Sequence, residues 1–297
     1  MSVPGVASAA TFNATCSGTT GDVPSLIAAI GSANANSGPD TVVLARGCTY
    51  TLSAVNNNWY GPNGLPPIAS DISIEGNGSK ITRSATAPKF RLFFVGADPL
   101  SAGTNSYVSP GPGVLTLRNV MLTGGLAKGG DSNGGGGGAG MGGAIFSQGV
   151  VTVDHSTIAG NSAQGGSAVN NAAGLSGGGI GTDSTATAGG GFGAGSFGGG
   201  AGGGSNSGGG GGGAGFRVSE NGISADMTGK PGLGGGPLTG TAGFGGNSST
   251  LSGVAGGDGG GGGGRGPGAD GGAFGAGGTK PVSGGGSAGG GVGGGGS

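Results

Sequence analysis

The chain has 297 residues, of which 89 are glycine, and only 8% of the residues are charged. It contains 14 prolines, and its glycines follow no three-residue period, which excludes a collagen triple helix. The 11 basic and 12 acidic residues give a formal net charge of -1, so we expect no nucleic acid partner held by a basic face. Runs of about 18 or more apolar residues are absent, so we expect no membrane-spanning helix.

Composition divides the chain into four predicted parts. Residues 1–10 are interpreted either as the remnant of a signal peptide or as a flexible start, because the Ala-Ser-Ala run at 7–9 has the small-x-small spacing of a signal-peptidase site. Residues 11–38 are predicted to form an N-terminal cap with a helix. Residues 39–185 hold most of the alternating apolar runs and are predicted to form a stack of strands. Residues 186–297 are rich in glycine and are predicted to be a loop or tail.

The predicted helix of the cap begins after Asp22. Asp22 or Ser25 can cap its first turn, and Pro24 suits that turn because proline lacks the amide hydrogen that a first turn leaves unbonded. The Asn, Gly and Pro residues at 34–39 end the helix. Its apolar residues fall on one face: Leu26, Ile27, Ile30 and Ala33.

Cys16 and Cys48 are the only cysteines of the chain. We predict a disulfide between them; the alternative is two buried free thiols. The pattern of a cleavage site and the Ser/Thr/Gly/Asn-rich composition favour an oxidising compartment, and therefore an extracellular or cell-surface location. A metal site is not predicted, because the two thiols lack a CxxC spacing and His155 is the only histidine. We expect no cofactor.

Strands are predicted where apolar residues alternate with polar ones, or run together, over short lengths. Such segments lie at 41–44, 48–52, 71–75, 90–95, 114–118 and 150–154. We expect the following side chains to lie inside the stack: Val43, Ile72, Ile74, Leu92, Leu115, Leu117, Ile145, Val151, Val153 and Ile158.

Repetition is the strongest signal in the sequence. Residues 114–125 align without a gap on 150–161, each with a strand, a polar corner, a second apolar pair and a Gly/Asn turn. The Gly-Gly-Ala-Ile of 142–145 also recurs as Gly-Gly-Gly-Ile at 177–180. Since each repeat is too small to bury its own apolar side chains, the repeats must stack, which predicts a parallel β-solenoid.

Two sets of segments together carry a resemblance to a known family. The first set is 26–36, 39–44 and 47–52; the second is 142–145, 151–153, 156–158 and 160–163. The first is similar to the N-terminal cap, and the second to the internal repeat, of secreted right-handed parallel β-helix proteins with polymorphic-outer-membrane-protein-type GG[AG]I repeats. The resemblance covers about residues 12–182. It implies an all-β fold, a right-handed parallel β-helix (solenoid) with a short N-terminal capping helix and a long glycine-rich C-terminal segment. Members include adhesins, envelope proteins and polysaccharide-cleaving enzymes, so the resemblance fixes no activity.

Charged residues give little support for catalysis. A polysaccharide lyase needs a cationic base, usually beside carboxylates that hold calcium. The candidates for such a cluster are Glu75, Arg83, Lys89, Arg91 and Arg118, with Asp71 as a further ligand. We interpret them as solvated charges on the outer face. In the Asp154-His155 pair we expect Asp154 to point outwards, and His155 to occupy the corner that Asn119 occupies in the aligned repeat and to hydrogen-bond to the backbone there. A glycosidase needs a pair of carboxylates; Asp71 and Asp154 are the only strand-borne aspartates with that potential, and nothing in the sequence places them on one face. We therefore assign no catalytic residue and no metal ligand.

One aromatic pair could bind a sugar ring. Trp59 and Tyr60 follow Asn57 and Asn58, whose amides can hydrogen-bond hydroxyl groups. These four residues are the predicted, weak binding site. The alternative is that the two rings cover the open N-terminal end of the solenoid core.

The sequence thus predicts a non-enzymatic secreted or cell-surface protein with a structural or adhesive β-helix. Its expected partners are a surface glycan or further copies of itself, because an uncapped solenoid ends in an open strand edge. The alternative is a carbohydrate-binding or polysaccharide-cleaving β-helix protein.

Overall fold

A computed structural model describes residues 8–96, 113–131, 138–167 and 179–183 of the chain. The predictions for 1–7 and 186–297 lie outside these residues. The described residues belong to two compact units. The first unit comprises 8–57, 63–96, 113–126 and 142–162, and the second comprises 58–62, 127–131, 138–141, 163–167 and 179–183.

The described part is mostly strand with one helix, in agreement with the predicted all-β class. Its elements, in chain order, are β1 (Thr11–Ala14), β2 (Cys16–Ser17), β3 (Thr20–Gly21), α1 (Val23–Ala35), β4 (Asp40–Leu44), β5 (Thr49–Leu52), β6 (Asp71–Arg83), β7 (Phe93–Val95), β8 (Val114–Thr123), β9 (Leu126–Lys128), β10 (Ile145–Ser147), β11 (Val150–Asp154), β12 (Thr157–Ile158) and β13 (Ser162–Gln164).

The predicted helix is confirmed as α1, which has Pro24 in its first turn. Asp22 occupies the N-cap position without a capping bond from its side chain. The hydroxyl of Ser25 instead donates to the Asp22 carbonyl and accepts from the Thr15 amide, both at 2.8 Å. These bonds fix the start of α1 against the end of β1. The buried face of the helix consists of Leu26, Ala29, Ile30 and Ala33.

Parallel pairing joins the main strands of the first unit in one series. β1 pairs with β4, β4 with β6, β6 with β8, and β8 with β11, all parallel. β5 pairs parallel with the second half of β6, and β12 with the second half of β8. The short hairpin of β2 and β3 is antiparallel. Two further sheets have two strands each, β7 with β10 and β9 with β13.

The registers place apolar side chains in columns across the stacked strands. One column runs through Val42, Ile74, Leu117 and Val153. A second runs through Tyr50, Ile81, Leu122 and Ile158. Since parallel strands lie about 4.8 Å apart, neighbours in a column pack directly on one another and leave no room for water.

The predicted core is confirmed at its centre and wrong in three places. Ile72, Ile74, Leu92, Leu115 and Leu117 are fully buried, and Ile145 and Val151 are partly buried. Val43 is only half-buried, because Val42 and Leu44 take the inward positions of β4. In an unbroken apolar run such as 42–44, alternation cannot tell the two faces apart.

The other two errors, Val153 and Ile158, lie at the far end of the stack. They are 46% and 42% exposed. β11 and β12 pair with β8 on one side, and within the described ranges no strand pairs with their other side. The inward side chains of this last layer therefore pack on the core on one side, and no described strand covers them on the other.

The predicted disulfide is confirmed. Cys16 in β2 is bonded to Cys48, which directly precedes β5, with 6.5 Å between their Cα atoms. The bond ties the N-terminal hairpin to the first stacked strands. Within the described ranges, no helix has both the length and the apolar character that crossing a membrane requires.

Candidate functional site

The predicted sugar platform is buried. Trp59 and Tyr60 stack on each other with ring centroids 5.5 Å apart, and their exposed fractions are 4% and 2%. Both residues, with Asn58, belong to the second compact unit. Sugar binding by these rings stays a prediction.

Asn57 belongs to the first unit and is engaged in the fold. Its amide donates to the Leu65 carbonyl at 2.8 Å, and its side-chain oxygen accepts from Asn63 at 2.8 Å. These bonds hold the 57–63 segment at its two ends. The Asn57 side chain therefore closes the loop between residues 57 and 63.

Three of the candidate charged residues form a ladder across neighbouring strands. Glu75, Arg118 and Asp154 are in register on β6, β8 and β11. The Arg118 guanidinium lies 2.8 Å from Glu75 through Nη1 and 3.8 Å from Asp154 through Nε. The hydrogen bond to Glu75 raises the pKa of Arg118. All three side chains are partly exposed, so the ladder neutralises adjacent charges on the outer face, where ion pairs contribute little to stability.

The other candidate cations do not join this ladder. Arg83 donates to the carbonyls of Gly124, Ser84 and Ala87, each at 2.9 Å. The prediction of a solvated charge is wrong for Arg91, which is buried with its guanidinium 4.9 Å from the centre of the Phe146 ring. Burial lowers the pKa of Arg91 to about 9.

The remaining candidates, Lys89 and Asp71, are exposed. Asp71 begins β6 in register with Val114, which is itself in register with Val150. It therefore lies at the opposite end of the strands from Asp154. The two aspartates do not form a carboxylate pair.

His155 occupies a corner, as predicted. Its φ of 44° lies in the left-handed region, and the neighbouring registers place it beside Asn119. The His155 Nδ1 atom lies 2.5 Å from the Asp154 Oδ1 atom, whereas we expected a bond to the backbone. The His155 side chain is 81% exposed.

Left-handed backbone recurs at every corner of the stack. Gly47, Asn77, Asn119 and His155 have φ values of 67°, 51°, 50° and 44°. Asparagine and histidine tolerate this conformation better than most residues, and glycine adopts it freely. A sharp corner therefore follows β4, interrupts β6 and β8, and follows β11, at the same place in the stack.

Serine hydroxyls join one corner to the next. Ser79 accepts from the Cys48 amide at 2.8 Å and donates to the Ala45 carbonyl at 2.6 Å. Ser156 likewise accepts from the Val120 amide at 3.2 Å. In both cases the serine hydroxyl of one layer accepts a hydrogen bond from a backbone amide of the preceding layer. At a corner that amide has no partner in the strand ladder, so the serine supplies one.

The stacked corners form an open groove of about 810 Å³, which we call the corner groove. It runs across four strand layers of the first unit. The charged, polar and thioether side chains that line it belong to Arg46, Asn77, Asn119, Met121, His155 and Thr157. Asn77 donates to the Leu44 carbonyl at 2.9 Å, so its amide group supports the corner.

The corner groove was not predictable from the sequence. The aligned repeats place Asn119 and His155 at equivalent corners, but no pattern in the sequence marks Arg46 or Met121. The available signal was the recurrence of Gly, Asn or His just after an outward-facing strand residue in successive repeats. That signal is weak, because the corners after β4 and within β6 are longer than the corner at Asn119, so the repeats do not align by a constant spacing.

One further ion pair lies in the second unit. The Lys128 ammonium group lies 2.5 Å from Asp131, whose carboxylate also accepts from the Ser167 amide at 2.6 Å. The hydrogen bond from Lys128 is the main reason that the pKa of Asp131 is lowered. Within the described ranges, no three side chains of His, Cys, Asp or Glu gather closely enough to hold a metal ion.

No family model, no curated protein and no solved structure matches this chain.

Proposed function

We propose that this chain is a non-enzymatic secreted or cell-surface protein whose described strands are part of a right-handed parallel β-helix with a structural or adhesive role. The observation that carries the proposal is the unbroken parallel register from β1 through β4, β6 and β8 to β11. Such stacking produces a stiff elongated surface on which side chains recur at the strand spacing.

The use of the charged groups supports a structural role. Arg118 binds Glu75 and approaches Asp154, and Arg83 binds backbone carbonyls. Arg91 is buried against Phe146. General acid-base catalysis needs a group within hydrogen-bond reach of a substrate, and these side chains are already engaged in the fold.

Secretion is supported by the bond between Cys16 and Cys48. Stable disulfides are typical of oxidising compartments and are rare in the cytosol. Thiol labelling of the protein in its own cells, followed by mass spectrometry, tests this part of the proposal. Both cysteines should resist labelling until a reductant is added.

Turnover of polysaccharides tests the non-enzymatic role. Purified protein incubated with polygalacturonate should leave the polymer length and the number of reducing ends unchanged. Shortening of the polymer would overturn the proposal, above all if it is lost in Arg118→Gln and retained in Lys89→Gln. Lys89 is the matched control because it is an exposed cation outside the ladder.

Carbohydrate binding without cleavage is the second candidate function, and the corner groove favours it. The groove is open and lies on the stacked strands, where repeated polar side chains can meet a long ligand. If the groove binds a surface glycan, that glycan is the ligand through which the protein adheres.

A further inference from the structure

We propose that the corner groove binds a linear anionic polysaccharide, which lies along the stack and contacts Arg46, Asn119 and His155. This inference rests on the proposed adhesive role of the β-helix. It names the class of ligand and the residues that hold it.

Geometry is the first argument. The groove crosses the layers of β4, β6, β8 and β11, and strand layers lie about 4.8 Å apart. Its ends are therefore separated by roughly 14 Å, or three strand spacings. The layer spacing is close to the rise per pyranose residue in a linear polysaccharide. An extended peptide advances only about 3.3 Å per residue, so its side chains would fall out of step with the corners.

Hydrogen-bonding capacity is the second argument. Asn119 is exposed, and its side chain makes no hydrogen bond to the described residues. His155 uses Nδ1 for Asp154, which leaves Nε2 on a side chain that is 81% exposed. An amide and an imidazole on adjacent layers present a donor and acceptor set suited to hydroxyl groups.

Charge is the third argument. Arg46 lines the groove, and Lys80 lies beside it, in register with Thr49 and Met121. Neither cation forms an ion pair with a carboxylate of the described part of the chain. Of the nearby carboxylates, Glu75 is bonded to Arg118, and Asp154 lies 3.8 Å from Arg118 through Oδ2 and 2.5 Å from His155 through Oδ1. The groove therefore favours a ligand with negative charges, such as uronic acid units.

An apolar strip completes the site. Met121 is 43% exposed and lies in register with Thr157 on the next layer. A thioether beside a threonine methyl group can pack against the C–H face of a sugar ring. The groove thus offers an apolar contact in addition to its cationic and amide-bearing positions.

Titration calorimetry with the full chain tests the inference. The probes are polygalacturonate, alginate and hyaluronate, with fully methyl-esterified polygalacturonate as the uncharged comparison and single-stranded DNA as another linear anion. We expect binding to at least one acidic polysaccharide, weaker binding to the methyl ester, and weaker binding to DNA.

Three substitutions identify the binding surface. Arg46→Gln removes a charge, Asn119→Gly removes the amide, and His155→Asn removes the imidazole. Glycine and asparagine both accept positive φ, so the last two variants keep their corners. Each should weaken binding about tenfold, the loss expected for one hydrogen bond or charge contact of about 1.4 kcal/mol. The control, Lys89→Gln, should bind like the native chain.

The outcomes separate this inference from the proposed function. No binding to any of the three polysaccharides, equal or tighter binding to DNA, or unchanged binding in all three groove variants would overturn the inference. Loss of binding in Trp59→Phe alone would move the site to the predicted aromatic pair. Cleavage of a polymer that still depends on Arg46 would overturn the non-enzymatic role and leave the groove as the binding site.

Discussion

At the scale of single residues, the corners demand particular side chains because neighbouring layers approach closely. A Cβ atom added at Gly76 would lie 2.4 Å from the Asn119 carbonyl oxygen and 2.5 Å from the Val120 Cβ atom. Both partners belong to the corner of the next layer. Glycine is therefore needed at this position for space, since its backbone angle is not one that excludes other residues.

We predict that Gly76→Ala lowers the free energy of unfolding by roughly 1–3 kcal/mol, because the added methyl group forces two layers apart. Chemical denaturation followed by circular dichroism measures the change. Gly31→Ala is the matched control. Gly31 lies in α1, and apart from the backbone of the helix itself and the two neighbouring residues no atom lies within 4 Å of its added Cβ atom. That substitution should stabilise the protein, by up to about 1 kcal/mol from helix propensity. Equal effects of the two changes would contradict the steric argument.

Residue-level predictions from the sequence succeeded where one chemical signal was sufficient. Pairing of Cys16 with Cys48 followed from the cysteine count, and the corner position of His155 followed from its alignment with Asn119. The role of Asn161 could not be predicted. Its side chain accepts from the Gly125 amide at 2.9 Å and donates to the Leu122 carbonyl at 3.0 Å, so it serves the preceding repeat. A sequence alignment places Asn161 in its own turn and gives no sign of this reach.

At the scale of elements, the disulfide joins the N-terminal hairpin to the first stacked strands, which the hairpin also meets through the parallel pairing of β3 with β5. Cys16 lies in the two-residue strand β2, which pairs with β3. Cys48 precedes β5, which is paired with β6. The bond therefore anchors the N-terminal hairpin to the stack.

We predict that the double variant Cys16→Ser/Cys48→Ser loses about 3–4 kcal/mol of stability, the chain-entropy value for a closed loop of this length. The sequence separation of the two cysteines is 32 residues. Thermal unfolding of the native chain with and without dithiothreitol measures the same quantity. The variant serves as the control, because its midpoint should not respond to dithiothreitol. A native midpoint that is insensitive to the reductant would contradict a stabilising role for the bond.

The elements themselves were predictable to the extent that their apolar patterns were regular. α1 and the strands containing Ile72, Ile74, Leu115 and Leu117 were expected from the sequence. The orientation of β4 was not, since consecutive apolar residues at 42–44 fit either face. The second strand segments after the corners of β6 and β8 were also hard to delimit, because a corner with positive φ interrupts the alternation at Asn77 and Asn119.

At the scale of the whole described stack, protection should decrease towards one end. β6 lies between β4 and β8, and β8 lies between β6 and β11. β11 and β12 have a partner on one side among the described residues, and their side chains Val150, Val153 and Ile158 are 52%, 46% and 42% exposed. An open edge with exposed apolar side chains is a surface on which another strand can pair.

We therefore predict that hydrogen-bonded amides of β6 and β8 exchange with deuterium about tenfold or more slowly than those of β11, since about 1.4 kcal/mol of extra opening free energy gives a factor of ten. Measurement at low and high protein concentration tests self-association through this edge. Pairing between copies would protect β11 as concentration rises, and Val153→Lys, which places a charge at the edge, should remove that response while leaving β6 unchanged. Protection of β11 equal to that of β8 at every concentration would contradict the open edge, because it would require a second partner for β11 within the same chain.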